Sequence, residues 1–187
     1  MVRDAGWGAR GFFVIAAAAI AVGVPAAPAS ARAADCPHAQ ARPGHVSRGK
    51  LRVAVGCLLN NARSKHHLHA VKLNDDLERI AQPHSKRMVR DDCFSHQCAG
   101  EPPLKRRIKQ SPYVHGASSF SYAEELGYES TPKQMVHRWL ASVNHRDNIL
   151  DAGFRDLGVG VRRGAPVTGV QDSKFETYTL ELAARKQ

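Results

Sequence analysis

The sequence predicts an α+β domain in which helices pack on a short antiparallel sheet. Three observations carry that expectation. Apolar residues recur with helical periodicity twice in the first half of the chain, a third helix is announced by a start signal at Thr131, and apolar–polar alternation takes over after Phe154. With 187 residues, 43% hydrophobic and 24% charged, the chain suits one domain with a real core and is too short for two large ones.

The elements follow in order. Leu51, Val55, Leu58, Leu59 and Ala62 lie on one face of an amphipathic helix. A second helix starts near Asn74 to Asp76, where Asp75 and Glu78 have capping-box spacing, and it places Leu77, Ile80, Ala81, His84 and Met88 on one face. Phe120 to Leu126 reads as a strand whose alternation sends one of Glu124 and Glu125 inward, the choice resting on a register that a one-residue slip would reverse. Thr131-Pro132-Lys133-Gln134 combines an N-cap, a proline at the first helical position and a glutamine three residues on. The helix it opens should turn Met135, Val136, Trp139, Leu140 and Val143 inward, with Trp139 in the core. Leu157, Val159 and Val161 alternate with Gly158, Gly160 and Arg162 as a strand, Gly164 to Gly169 supplies turn residues, and Phe175 to Leu182 returns as a second strand. Tyr122 and Tyr128 are expected to pack at strand ends.

Residues 1–33 read as a secretory signal peptide. Arg3 and Arg10 give a basic start, Phe12 to Val24 is an uncharged apolar run, and Ala29-Ser30-Ala31 and Ala31-Arg32-Ala33 fit a small-residue cleavage site. An uncleaved anchor is the competing reading, although the run is short for a stable span. A lipid-modified Cys36 is disfavoured because Asp35 stands where a small residue is wanted. Residues 34–50 read as a tail or linker, and residues 51–187 as the domain. Nothing beyond the leader approaches the length of a membrane span, which excludes a multi-pass membrane protein.

Export makes disulfides the default for Cys36, Cys57, Cys93 and Cys98. Three connectivities are open. The favoured one ties the tail to the first helix through Cys36–Cys57 and closes a small loop with Cys93–Cys98. A zinc site on Cys93, His96 and Cys98 is the alternative, although the second pair of ligands is missing.

Lys and Arg total 27 against 17 Asp and Glu, a net charge of +10. Cleavage after Ala33 leaves 24 basic and 16 acidic residues. That surplus suits an anionic partner, and it equally suits simple solubility. With 6% aromatic residues, no recognition motif and an export signal, nucleic-acid binding is a weak reading and is not expected. Metalloprotease, nucleophile-elbow, phosphate-loop and dinucleotide fingerprints are absent from the sequence. The chemistry must therefore come from histidines and carboxylates: His84 on an apolar helix face, His96 after Phe94-Ser95, Glu124 with Glu125, and His145 after the third helix. His66, His67 and His69 suit a solvated loop better than a metal site.

Taken in order, Leu58-Leu59-Asn60-Asn61-Ala62-Arg63, Ala81-Gln82-Pro83-His84-Ser85 with Met88, Phe94-Ser95-His96, Glu124, Trp139, Asn144-His145-Arg146 with Asn148-Ile149-Leu150, Phe154 and Gly158-Val159-Gly160-Val161 resemble the bacterial branch of the CAP superfamily. These are the cysteine-rich secretory, antigen 5 and pathogenesis-related proteins, also called SCP-like extracellular domains. The resemblance covers roughly residues 51–182. It implies a secreted, three-layer α-β-α sandwich with a surface cleft lined by two histidines and acidic residues, which in some members hold a divalent metal. His96, Glu124 and His145 fall at the cleft positions, and His84 matches the histidine of the second helix. The chain departs from the family's pattern at Ala123-Glu124-Glu125, at Ser142-Val143-Asn144, and at Gln97 to Gly100, and Ser142 stands where a second acid is usual.

Two functions follow as expectations. In one, the cleft formed by His84, His96, Glu124 and His145 binds lipid or cell-envelope ligands. In the other, zinc on His96, Glu124 and His145 activates water for hydrolysis, with Glu125 or His84 as proton acceptor. Arg146 and Asn148 are expected to fix the turn beside His145 rather than to touch ligand.

Overall fold

The computed structural model describes residues 35–170 and 174–187, so the leader at 1–33 lies outside the described residues. Helix α1, Arg48–Lys65, starts behind the N-cap Ser47 and therefore begins inside the stretch expected to be a tail. Its apolar face delivers Leu51, Val55 and Leu59 to the core. Strand β1, Lys72–Leu73, leads into α2, Asp75–Arg90. The cap of α2 is Asn74, whose side chain accepts from the amides of Asp76 and Leu77, and the five residues expected on its inner face are all buried. A short α3, Leu104–Lys109, and a 3₁₀ turn, Pro112–Val114, precede the long strand β2, Ser119–Glu129.

Helix α4, Pro132–Ala141, begins at the predicted cap, with Thr131 accepting from the Gln134 amide. It ends sooner than expected. Ser142 is extended, at φ −89° and ψ 128°, so Val143 opens a separate helix α5, Val143–Ile149, and stands 58% exposed instead of facing inward. Strands β3, Asp156–Arg163, and β4, Glu176–Lys186, complete the chain.

The sheet order is β1-β3-β4-β2. The β3–β4 and β4–β2 pairs are antiparallel as expected, whereas β1 runs parallel to β3. That departure arises because the segment entering α2 lies beside β3 and is not joined to it by a hairpin. Both faces of the sheet are covered. On one, Leu157, Val159, Val161, Tyr178, Leu180 and Leu182 pack with α1 and α4 around Trp139, whose Nε1 donates to the Leu126 carbonyl at 2.9 Å. On the other, α2 lies directly on β3, and this is what the glycines at 158 and 160 permit. A Cβ at either position would overlap the backbone carbonyl of Leu77 or Ala81. The result is the α-β-α sandwich that the resemblance implies.

The cysteines pair as favoured, Cys36–Cys57 and Cys93–Cys98. With both sulfurs oxidised, a zinc site on Cys93, His96 and Cys98 is ruled out, because the thiolate is the metal ligand. The first disulfide ties the tail to the first helix, as favoured. Residues 36–45 are also held to α4 by the Lys133 amide on the Ala39 carbonyl, and to β4 by the Gly44 amide on Glu176. A buried Arg63 joins α1 to α5 by donating to the carbonyls of Ile149 and Asp151 at 2.6 and 3.0 Å. Among the described residues, no helix is long and apolar enough to cross a membrane.

Candidate functional site

The site straddles β2, the end strand of the described sheet. Successive residues of a strand face opposite sides. In the β2–β4–β3 register Glu124 sits opposite Glu181 and Gly158, on the α2 side, whereas Glu125 sits opposite Leu180 and Val159, on the α4 side. The expectation that only one carboxylate turns inward is therefore corrected. Both are buried, at 6% and 1% exposure, because this sheet has a helical layer on each face.

On the α2 side, Glu124 accepts from His96 Nδ1 at 2.9 Å and from Arg107 Nη2 at 3.0 Å, one bond to each oxygen. Arg107 also donates to the His96 carbonyl at 2.9 Å, so α3 clamps both members of the pair. Beneath them, His84 Nδ1 bonds Glu101 at 2.8 Å while its Nε2 lies 4.0 Å from Glu124. On the α4 side, Asn148 donates to Glu125 Oε1 at 2.8 Å and His145 Nε2 stands 3.8 Å from Oε2. Asn148 thus also holds a site carboxylate, beyond its expected place in the turn beside His145. Phe94 anchors the loop bearing His96 by meeting Tyr128 edge-to-face at 5.5 Å between centroids. Tyr128 does more than pack a strand end.

These environments drive the titrating groups apart. The hydrogen bond to Glu124 raises His96 above the ordinary imidazole range, outweighing its partial burial. Burial and then the charge of His96 lower His145. Burial also lowers His84, against the pull of Glu124 and Glu101. For Glu124, burial pushes upward, but hydrogen bonds from His96 and Glu181 and the charge of Arg107 prevail and hold it below the usual carboxylate range. Glu181, wholly buried beside it, is held well above that range by burial and by the charge of Glu124. Burial lifts Glu125 to about 7. One face of β2 therefore favours an imidazolium on a carboxylate, and the other a neutral imidazole beside a carboxyl poised near neutrality.

The arrangement does not fit the divalent metal expected on His96, Glu124 and His145. His145 is placed with Glu125 rather than Glu124, and both oxygens of Glu124 are already engaged by His96 and Arg107. Among the described residues, the only trio with ligand atoms within 4.8 Å of one another is His84, Cys98 and Glu101, where the Cys98 sulfur is spent in its disulfide. His66, His67 and His69 are exposed, as a solvated loop requires.

Residues 58–175 match the family described as CAP, the cysteine-rich secretory protein family. The chain belongs to the CAP family. Among curated relatives, the CAP domain is 28% identical over 105 residues to YkwD of Bacillus subtilis, covering 55% of this chain and 39% of that protein. It is 32% identical over 109 residues to the membrane protein YlbC of the same organism, covering 57% and 30%. The chain therefore spans well under half the length of these relatives. Among solved structures, it resembles an extracellular SCP-domain protein of Bacillus anthracis, with a TM-score of 0.56, 24% identity, and coverage of 77% of this chain and 45% of that one. It also resembles an outer surface protein of Borrelia burgdorferi, with a TM-score of 0.54, 19% identity, and coverage of 68% and 87%. These likenesses show the CAP fold.

Sequence reasoning found His84, His96, Glu124, Glu125 and His145 but missed Arg107, Glu101 and Glu181. The signal for Glu181 was present, since Thr177, Thr179 and Glu181 alternate with Tyr178, Leu180 and Leu182. The polar half of that alternation is the face that α2 covers. Arg107 sits in the basic run Leu104 to Lys109, where nothing separates it from its solvated neighbours.

Proposed function

We propose that this CAP domain is exported and works by binding, its cleft taking the polar head of a lipid or cell-envelope ligand. The observation that carries the reading is the contrast between exposed imidazoles and buried carboxylates. The side chains of His96 and His145 are 63% and 36% exposed, while those of Glu124 and Glu125, which hold them, are 1% and 2% exposed. A fixed cationic donor beside a neutral imidazole suits hydroxyl, carboxylate or phosphate groups. An exposed apolar residue lies two positions before each histidine, Phe94 at 47% and Val143 at 58% exposure, and supports contact with a less polar portion of the ligand. The leader-like residues 1–33 support export. The test is native mass spectrometry of the mature protein after exposure to envelope lipids and to peptidoglycan fragments. Adducts that form with the wild type and are lost in His96→Ala/His145→Ala are expected. Adducts unchanged by that double substitution, or none at all, would overturn the reading.

A hydrolytic alternative has one observation in its favour, the Glu125 carboxyl near 7 beside a neutral His145, a pair suited to exchanging a proton at neutral pH. It rests on acid–base chemistry alone, because the donor set does not fit a metal. Hydrolysis of envelope peptides that survives Glu125→Gln would remove it.

A further inference from the structure

The α2 layer carries a concavity that shares Glu101 and Arg107 with the His/Glu site but is lined by neither His96 nor His145. A groove of about 540 Å³ runs between the outer face of α2 and the segment from Glu101 to Pro112. Arg79, Lys86, Arg87 and Arg90 line its α2 wall. They follow the i, i+7, i+8, i+11 spacing of one helical stripe, so the cations stand in a row of about 16 Å at 1.5 Å per residue. The position between them on the stripe, Pro83, is exposed, and Ile80, Pro102 and Pro112 add apolar lining beside the polar Arg107, Gln110 and Ser111. Acid accompanies most of this row, and Lys86 is the cation that makes no ion pair among the described residues. Arg79 pairs with Asp76 at 2.7 Å, and Arg90 and Arg87 share Asp91 at 2.6 and 3.8 Å. Glu101, the carboxylate on the opposite wall, is buried against His84. Beyond the groove, exposed Lys105, Arg106 and Lys109 of α3 extend the positive surface, and α3 contains no acidic residue.

We infer that this groove is a binding site for a linear, phosphate-bearing polyanion. The cations stand in a row along α2, which suits a chain lying lengthwise, and arginine and lysine side chains are the usual partners of phosphate oxygens. A membrane surface is the less suitable occupant. The exposed large apolar side chains of the described residues are Val53, Leu73, Phe94 and Val143, and none of them stands on α2 or α3 to insert into lipid. The inference rests on the proposal that the domain is exported to where such polymers lie, but it uses residues separate from the cleft histidines.

The experiment is fluorescence anisotropy of labelled linear polyphosphate with the mature protein over a series of salt concentrations. Removing the charge in Arg79→Gln/Lys86→Gln/Arg90→Gln should weaken binding at least about tenfold at moderate salt and lower the slope of log affinity against log salt by about 2. Lys50→Gln/Lys65→Gln/Lys133→Gln, which removes the same charge elsewhere, should change affinity less than about threefold. Equal losses in the two triple variants would overturn the groove, as would an absence of polyphosphate binding by the wild type. Vesicles rich in phosphatidylglycerol form the second arm. Groove-dependent vesicle binding without polyphosphate binding would replace the polymer with a membrane and overturn the assignment. His96→Ala/His145→Ala should retain polyphosphate binding, so failure of the cleft and failure of the groove remain distinguishable.

Discussion

Glu125→Gln should make the protein more stable at alkaline pH and change it much less in acid. The folded state lifts this carboxyl from an ordinary 4.5 to about 7 through burial. Between those values the folded protein holds a proton that the unfolded chain releases. Its contribution is therefore fully present below about 4.5 and is lost as the pH rises through about 7. At about 1.4 kcal/mol per pH unit, the gap sets a ceiling of about 3 kcal/mol for the cost of ionising Glu125 in place. Glutamine removes the charge and keeps an oxygen for Asn148, which now donates at 2.8 Å. Its amide can donate toward the neutral Nε2 of His145, which stands 3.8 Å from the carboxylate. Urea unfolding of wild type and variant at pH 5, 7 and 9 measures the difference, free of the other titrating groups that both proteins share. The expected gain is about 3 kcal/mol at pH 9 and about 1 kcal/mol at pH 5, with unchanged m-values. Parallel stability profiles for the two proteins would refute the reasoning, since they would mean that Glu125 titrates as an ordinary surface carboxyl.

Two further predictions concern the scaffold. Gly158→Ala should cost more than about 3 kcal/mol, or prevent folding, because the added methyl meets the helix backbone at Leu77 and Glu78 rather than a side chain that could move aside; a thermal midpoint within a few degrees of wild type would contradict that packing. Cys36→Ser/Cys57→Ser should lose about 3 kcal/mol, the chain-entropy value for a loop closed across 21 residues, whereas Cys93→Ser/Cys98→Ser, across 5, should lose about 2. Denaturant midpoints in that order check the claim, and the reverse order would count against it.

The fold was legible wherever local chemistry and burial agree. The Thr131-Pro132-Gln134 start, the Leu157/Val159/Val161 alternation and the apolar face from Leu77 to Met88 all appear in the structure as written in the sequence. The break at Ser142 was not legible, because Val143 extends an apolar helical pattern that only the extended backbone interrupts. The site was half legible. His96 and His145 stand in recognisable segments, but their carboxylates sit on opposite sides of one strand, and only knowing that both faces are covered shows that both must be buried. Arg107 and Glu101 reach the site from a short helix and a loop with no periodicity to reveal them. Long-range pairing, not local pattern, puts them there.

The position of the site at the margin of the sheet has a consequence for the protein's solution behaviour. Strand β2 is 11 residues long and ends the described sheet, the kind of strand on which a second chain can grow an intermolecular ladder. Charges pointing inward from such a strand deter that growth, and here one is supplied by Glu124, held ionised beside His96 and Arg107, with Glu125 adding a second above neutral pH. Substitutions that blunt the cleft therefore also strip the sheet of its protection against self-association. Every loss of ligand binding in a Glu124 or Glu125 variant should be read alongside light scattering, since a vacant cleft and a clumped protein give the same silence in a binding assay.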